Sequence, residues 1–403
     1  MPYRILKVIL LIGILLGAAL PTRANEQVLT EPTIVVYTMG GAVDFETRVL
    51  TERPIQEVWV FVHPQGDINT IAGLASLHPS NVVTYKLELA EHPIRAYSTI
   101  EYWYRIVLQD GTVITTDPET FVYFDNRFEW ESLSKSPFEI FWYEGDLSFG
   151  QEILNTAQEG MFRFQNYLPV SQPVNIQAYV YANAAELQTA LRLSGESGMW
   201  IAGHADPALG VVVVTIPPGP AQTYEIKRQI PHEITHVMLY EWLEEDYYNL
   251  PQWLREGLPS MAELFPNPDY ALLLENARET ESLLPMDSLC ESFPLGASNF
   301  LLAYAQSADF TWFLHENFGS TGLEALSRAY ADGLSCEQGA QQALGKSLTE
   351  LDREWRRQTF GENTLLAVLQ ELLPWIVLMG VILIGPLLLI VGRRREPTDS
   401  SQK

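Results

Sequence analysis

The chain has 403 residues, 47% of them hydrophobic, and a formal net charge of −25 at neutral pH. Enough apolar side chain is present to build two or three cores, which excludes a disordered protein. A surface this acidic repels phosphate, so a nucleic-acid partner is excluded and neutral or cationic partners are favoured.

Residues 1–24 read as a secretory signal peptide. Arg4 and Lys7 precede an apolar run over 8–20, and Thr22-Arg23-Ala24 supplies a small-residue cleavage site. From about 34 to 124 the pattern alternates, as in Val58-Trp59-Val60-Phe61-Val62, with many β-branched and aromatic residues. Asp110-Gly111 between two such runs signals a hairpin. Six or seven strands in this space predict an immunoglobulin- or fibronectin-like β-sandwich over residues 25–130. The alternation breaks over 125–137, and a mostly helical domain is expected over 131–362. Helices are predicted near 149–167 and 184–193, and a strand over 174–180. Val211-Val212-Val213-Val214-Thr215-Ile216 is a second strand, ended by Pro217-Pro218-Gly219-Pro220. The arrangement is α+β.

Residues 372–392 carry no charge and would reach about 31 Å as a helix, enough to cross a bilayer. Arg393-Arg394-Arg395 follows directly, which predicts a cytoplasmic tail over 393–403 by the positive-inside rule. The expectation is therefore a single-pass protein of the cell membrane, held by its C-terminal helix, with its large domains extracytoplasmic. Cys290 and Cys336 are the only cysteines, and an oxidising compartment makes one disulfide between them the default. The sequence carries no signal for oligomeric state.

Pro231-His232-Glu233-Ile234-Thr235-His236 contains His-Glu-x-x-His. On a helix, positions i and i+4 share a face, so both imidazoles can reach one metal ion, with Glu233 beside them as a base. Pro231 removes a backbone donor, so either the helix starts there or it is kinked. A catalytic zinc needs a third protein ligand and an open position for water. The offsets that would carry a Gly and a third His hold Leu239 and Trp242 instead. A glutamate from another helix is the remaining choice, and Trp253-Leu254-Arg255-Glu256-Gly257 supplies one 20 residues after His236.

With these motifs the sequence resembles the gluzincin metallopeptidases, specifically the peptidase MA-like proteins of bacterial envelopes, over residues 125–362. The resemblance implies a zincin catalytic domain binding one Zn2+ through His232, His236 and Glu256, with Glu233 as general base. Weaker matches are Asp125-Asn126-Arg127-Phe128, Ala303-Tyr304-Ala305-Gln306-Ser307 and Trp355-Arg356. Relatives use a downstream Tyr or His against the oxyanion, which makes Tyr304 a catalytic candidate, with His204 and His315 behind it. Tyr304 packed only by its ring is the alternative. Glu263 either orients a ligand imidazole or is a surface or capping residue. In this fold class an edge strand beside the zinc pairs with extended substrate, a role open to 211–216, which may equally be read as a buried strand. The chain lacks the Gly-x-Met-Glu-Asn segment of aminopeptidase relatives, which favours endopeptidase action. The expected function is a membrane-anchored zinc peptidase acting on peptide or protein substrates. A catalytically inactive zincin-fold binding protein of the cell envelope is the other reading.

Overall fold

A computed structural model describes residues 29–173, 175–193, 203–361, 372–375 and 378–379. The signal peptide expected over 1–24 and the tail over 393–403 lie outside the described residues. The chain divides into two compact units, Met1–Ile94 with Ser98–Tyr123, and Arg95–Tyr97 with Phe124–Lys403.

The first unit contains β1 (Leu29–Thr30), β2 (Ile34–Tyr37), β3 (Ala42–Leu50), β4 (Ile55–Pro64), β5 (Ile71–Leu74), β6 (Ser76–Leu77), β7 (Val82–Glu88), β8 (Ser98–Leu108), β9 (Val113–Thr115) and β10 (Glu119–Tyr123). They form two five-stranded antiparallel sheets, β1-β3-β7-β6 with β2 on β3, and β10-β8-β4-β5 with β9 on β8. Every second residue of β3, and of β4 from Val58 onward, is buried, as the period of two demands of a sheet with one wet face. The buried faces meet where Phe45 of β3 packs on Tyr102 of β8, ring centroids 5.2 Å apart.

The second unit begins with β11 (Glu131–Lys135), β12 (Phe138–Trp142), α1 (Leu147–Gln165), β13 (Ile176–Tyr181), α2 (Ala184–Leu193), β14 (Gly203–Asp206) and β15 (Val211–Thr215). Its sheet runs β11-β12-β13-β15-β14, parallel at the centre and antiparallel at both edges. All five residues of β15 are buried, and β13 and β14 pair with its two edges. Strand 211–216 is therefore the buried strand, and β14 is the edge of the described sheet.

Among the described residues up to 361, six α-helices follow: α3 (Gln222–Leu243), α4 (Gln252–Ala262), α5 (Asp269–Glu279), α6 (Ala297–Ala331), α7 (Cys336–Leu344) and α8 (Leu348–Phe360). Helix α3 runs through the core, buried almost continuously from Gln229 to Leu239. Pro231 neither starts nor ends it. Helix α1 approaches closely there, because Gly160 has no side chain: a Cβ at that position would lie 2.6 Å from Cβ of Pro231. Cys290 and Cys336 form a disulfide, and the Cys290 carbonyl accepts the first backbone N–H of α4, from Gln252, at 2.8 Å.

The membrane-spanning helix expected over 372–392 is overturned. Among the described residues no helix is long and apolar enough to cross a membrane. Of that stretch only 372–375 and 378–379 are described, as short helical pieces. A four-residue piece rises about 6 Å, against the roughly 30 Å of a hydrocarbon core. The single-pass membrane location and the membrane as a partner, both of which rested on that helix, fall with it.

Candidate metal centre

The site is built from α3 and α4. His232 and His236 stand one turn apart on α3, their ring centroids 5.2 Å from one another. Helix α4 brings Glu256 against them for reasons legible in its sequence. Trp253, wholly buried, packs edge-on against Phe310 and Tyr330 of α6 at 5.1 and 6.3 Å. Gly257 lets α6 come close: a Cβ there would overlap the Thr311 hydroxyl and lie 2.5 Å from the Ser307 carbonyl oxygen. With Trp253 and Gly257 turned to α6, Glu256 projects toward α3.

Nε2 of His232 and Nε2 of His236 lie 3.4 and 3.8 Å from the same carboxylate oxygen, Oε2 of Glu256. The three donor atoms fall within 4.8 Å of one another, close enough for one ion to bond all three at ordinary metal–ligand lengths. The other atom of each side chain is engaged. His232 Nδ1–H donates to Oε1 of Glu263 at 2.9 Å, and His236 Nδ1 lies 2.9 Å from the Tyr247 hydroxyl. Gln252 Nε2 donates to Oε1 of Glu256 at 2.9 Å, and Arg255 in turn donates to the side-chain amide oxygen Oε1 of Gln252. Two imidazoles and one carboxylate, each oriented from behind, form a donor set that suits zinc.

Glu233 lines the same cavity of about 500 Å³, together with His204, Arg228, Arg255 and Tyr304. Its carboxyl abuts β14, where a Cβ on Gly203 would lie 2.8 Å from Cδ of Glu233. Burial, reinforced by the Glu256 carboxylate and opposed by His232, pushes Glu233 up to about 7. Burial also pushes His236 down to about 3, which keeps it neutral. At His232 burial acts downward too, but its hydrogen bonds to Glu256 and Glu263 outweigh it and raise it to about 10. Glu256 is held below the usual carboxylate range, since the His232 hydrogen bond and the nearby His236 overcome burial.

Tyr304 lines the cavity and is also packed by its ring. Its ring packs edge-on against Phe293 and Phe300 at 5.1 and 5.2 Å. Its phenol is pushed well above the usual range, by burial first and then by Glu256 and Glu233, so it keeps its proton. His204 reaches the cavity from β14. His315 does not: it lies on α6 with its ring 5.2 Å from Tyr167 and 5.9 Å from Trp312. Glu263 is 3% exposed, so it is not a surface residue, and it stands at the C-cap position just after α4 ends at Ala262. Tyr247, Gln252 and Gly203 were missed from the sequence. Gln252 alone carried a signal, standing one helical turn before Glu256; nothing local marks the other two.

A model of the Peptidase MA superfamily matches residues 156–361. No curated protein matches this chain. Among solved structures it is similar to an M1 zinc metallopeptidase from Deinococcus radiodurans, at 13% identity over 81% of this chain and 90% of that one, TM-score 0.33. A mutant of the same enzyme gives 10% identity over 79% and 90%, TM-score 0.34. A structure described as that of a myokine matches 24% of this chain and 98% of its own, at 7% identity and TM-score 0.21.

Proposed function

The chain belongs to the Peptidase MA superfamily, and from that premise we propose that it is a zinc-dependent endopeptidase. The observation that carries this reading is the meeting of His232 Nε2, His236 Nε2 and Glu256 Oε2 in one buried cavity with Glu233 beside them. His232, His236 and Glu256 would hold a zinc ion, which would supply Lewis-acid polarisation and lower the pKa of water toward neutrality. Glu233 takes the proton of the attacking water on its carboxylate and later delivers it to the leaving amine nitrogen. Tyr304, protonated and facing Glu256 and Glu233, donates its phenol hydrogen to the oxyanion. Glu263 and Tyr247 fix the two ring orientations, and Gln252 keeps Glu256 Oε1 occupied so that Oε2 alone turns inward.

The test is metal content together with hydrolysis of an unfolded protein, for the chain and its Glu233→Gln variant. One zinc per chain is expected, with internal bonds cut, and the variant retaining zinc while kcat falls about 10²- to 10⁴-fold. Sub-stoichiometric zinc, or undiminished cleavage by Glu233→Gln, overturns the mechanism. Stepwise trimming from one end overturns the endopeptidase assignment alone.

A further inference from the structure

We propose that Pro231 is a positioning residue for His232, acting by freeing a carbonyl that latches the segment carrying Glu263; this rests on His232 being a zinc ligand. In an α-helix the N–H of residue 231 would bond the carbonyl of Lys227. Proline has no N–H, so the Lys227 carbonyl is left to find another donor inside the protein. It accepts the backbone N–H of Leu264 at 2.9 Å. Leu264 directly follows Glu263, whose Oε1 accepts from His232 Nδ1 at 2.9 Å. The residue that breaks the helix ladder is thus the immediate neighbour of the ligand whose ring the latch orients.

The segment is strapped along α3 by successive residues. After Glu263 on His232 and Leu264 on Lys227, the Phe265 ring stacks on Tyr224 with centroids 6.3 Å apart. The Lys227 ammonium lies 4.9 Å from the same Phe265 ring. The Tyr224 hydroxyl then donates to the Pro266 carbonyl at 3.2 Å. On the near side, Arg163 of α1 donates to the Met261 carbonyl at 3.0 Å. Glu263 itself leaves the helix at φ −54°, ψ 127°, so its backbone follows the strap rather than the axis of α4. Of these links, the Leu264 bond is the one backbone–backbone hydrogen bond, and it meets a carbonyl that position 231 leaves without its helical donor. Gly160 makes room for the pyrrolidine ring, so the device involves α1 as well. With alanine at 231, an intrahelical N–H would compete with Leu264 for the Lys227 carbonyl, and Glu263 would lose its fixed approach to His232.

The experiment measures zinc affinity of the full chain by competition with a chromophoric chelator, alongside urea unfolding. Pro231→Ala is expected to weaken zinc binding about tenfold, the size of effect typical for groups that orient a metal ligand. Its urea midpoint without zinc should not fall, because alanine favours the helix. Glu263→Gln should weaken binding comparably, and Pro231→Ala/Glu263→Gln no further than Glu263→Gln alone. Leu264→Pro removes the donor from the other end of the same bond, after a residue already in the extended conformation that precedes proline; it too should weaken binding. Wild-type affinity in Pro231→Ala or Leu264→Pro, or independent losses that multiply in the double variant, overturns the proposal. Failure of the unmodified chain to bind zinc would instead sink the metallopeptidase reading beneath it.

Discussion

Gln252 Nε2 donates to Oε1 of Glu256 at 2.9 Å, which leaves Oε2 as the one carboxylate oxygen facing both imidazoles. One helical turn separates the two side chains, so α4 supplies a ligand together with the group that orients it.

Removing that amide should therefore loosen the site without unfolding it. Gln252→Leu is expected to weaken zinc binding about tenfold, within the range seen for groups behind a ligand. Chelator competition measures it, and an unchanged dissociation constant would show that Glu256 is held by its helix alone.

Gly203 sets how near β14 comes to Glu233, the proposed base. In Gly203→Ala the new methyl overlaps the Glu233 carboxyl and pushes it aside. Small misplacements of a reacting group can slow a reaction about 100-fold. The expectation is a fall in kcat of at least about tenfold with zinc content unchanged. Peptide hydrolysis and metal analysis on the same preparation decide it, and full activity would mean the strand yields rather than the carboxylate.

Chelation should lower thermal stability as well as abolish activity. An ion that binds the folded chain alone contributes about 2.7 kcal/mol when its free concentration is 100 times its Kd. The melting temperature should rise with added zinc in the unmodified chain. In His236→Ala, which lacks one ligand, it should stay flat.

Gly257→Ala tests the contact that carries Glu256 into place. Its methyl would overlap Thr311 and crowd the Ser307 carbonyl of α6. Overpacking of this kind typically costs about 1–3 kcal/mol. A lower urea midpoint is expected, and zinc affinity should fall with it, since the backbone of α4 must move away from α6. A variant as stable as the parent would show that the two helices part without strain.

Much of this protein was written locally. The alternation over 34–124 is reproduced as two antiparallel sheets, because a period of two puts one face of each strand in a core. The two histidines of α3 needed only helical pitch to share a face. Trp253 and Gly257 around Glu256 mark a helix pressed against a neighbour, though the neighbour, α6, is some 50 residues away. The apolar composition of 372–392 pointed the other way, to a span that the described helices do not contain.

What the sequence determined was the chemistry on offer: two imidazoles, a glutamate between them, and one carboxylate from a second helix. Only the tertiary structure decided how those groups are oriented. Glu263 reaches His232 because the chain leaves α4, Tyr247 meets His236 across a turn, and Gly203 touches Glu233 from a sheet edge. Those contacts join residues distant in sequence, and local periodicity has no term for where two separate elements will meet. Pro231 shows the limit best. Along the chain it reads as a defect in a helix, and only the fold reveals the backbone donor that its missing hydrogen lets in.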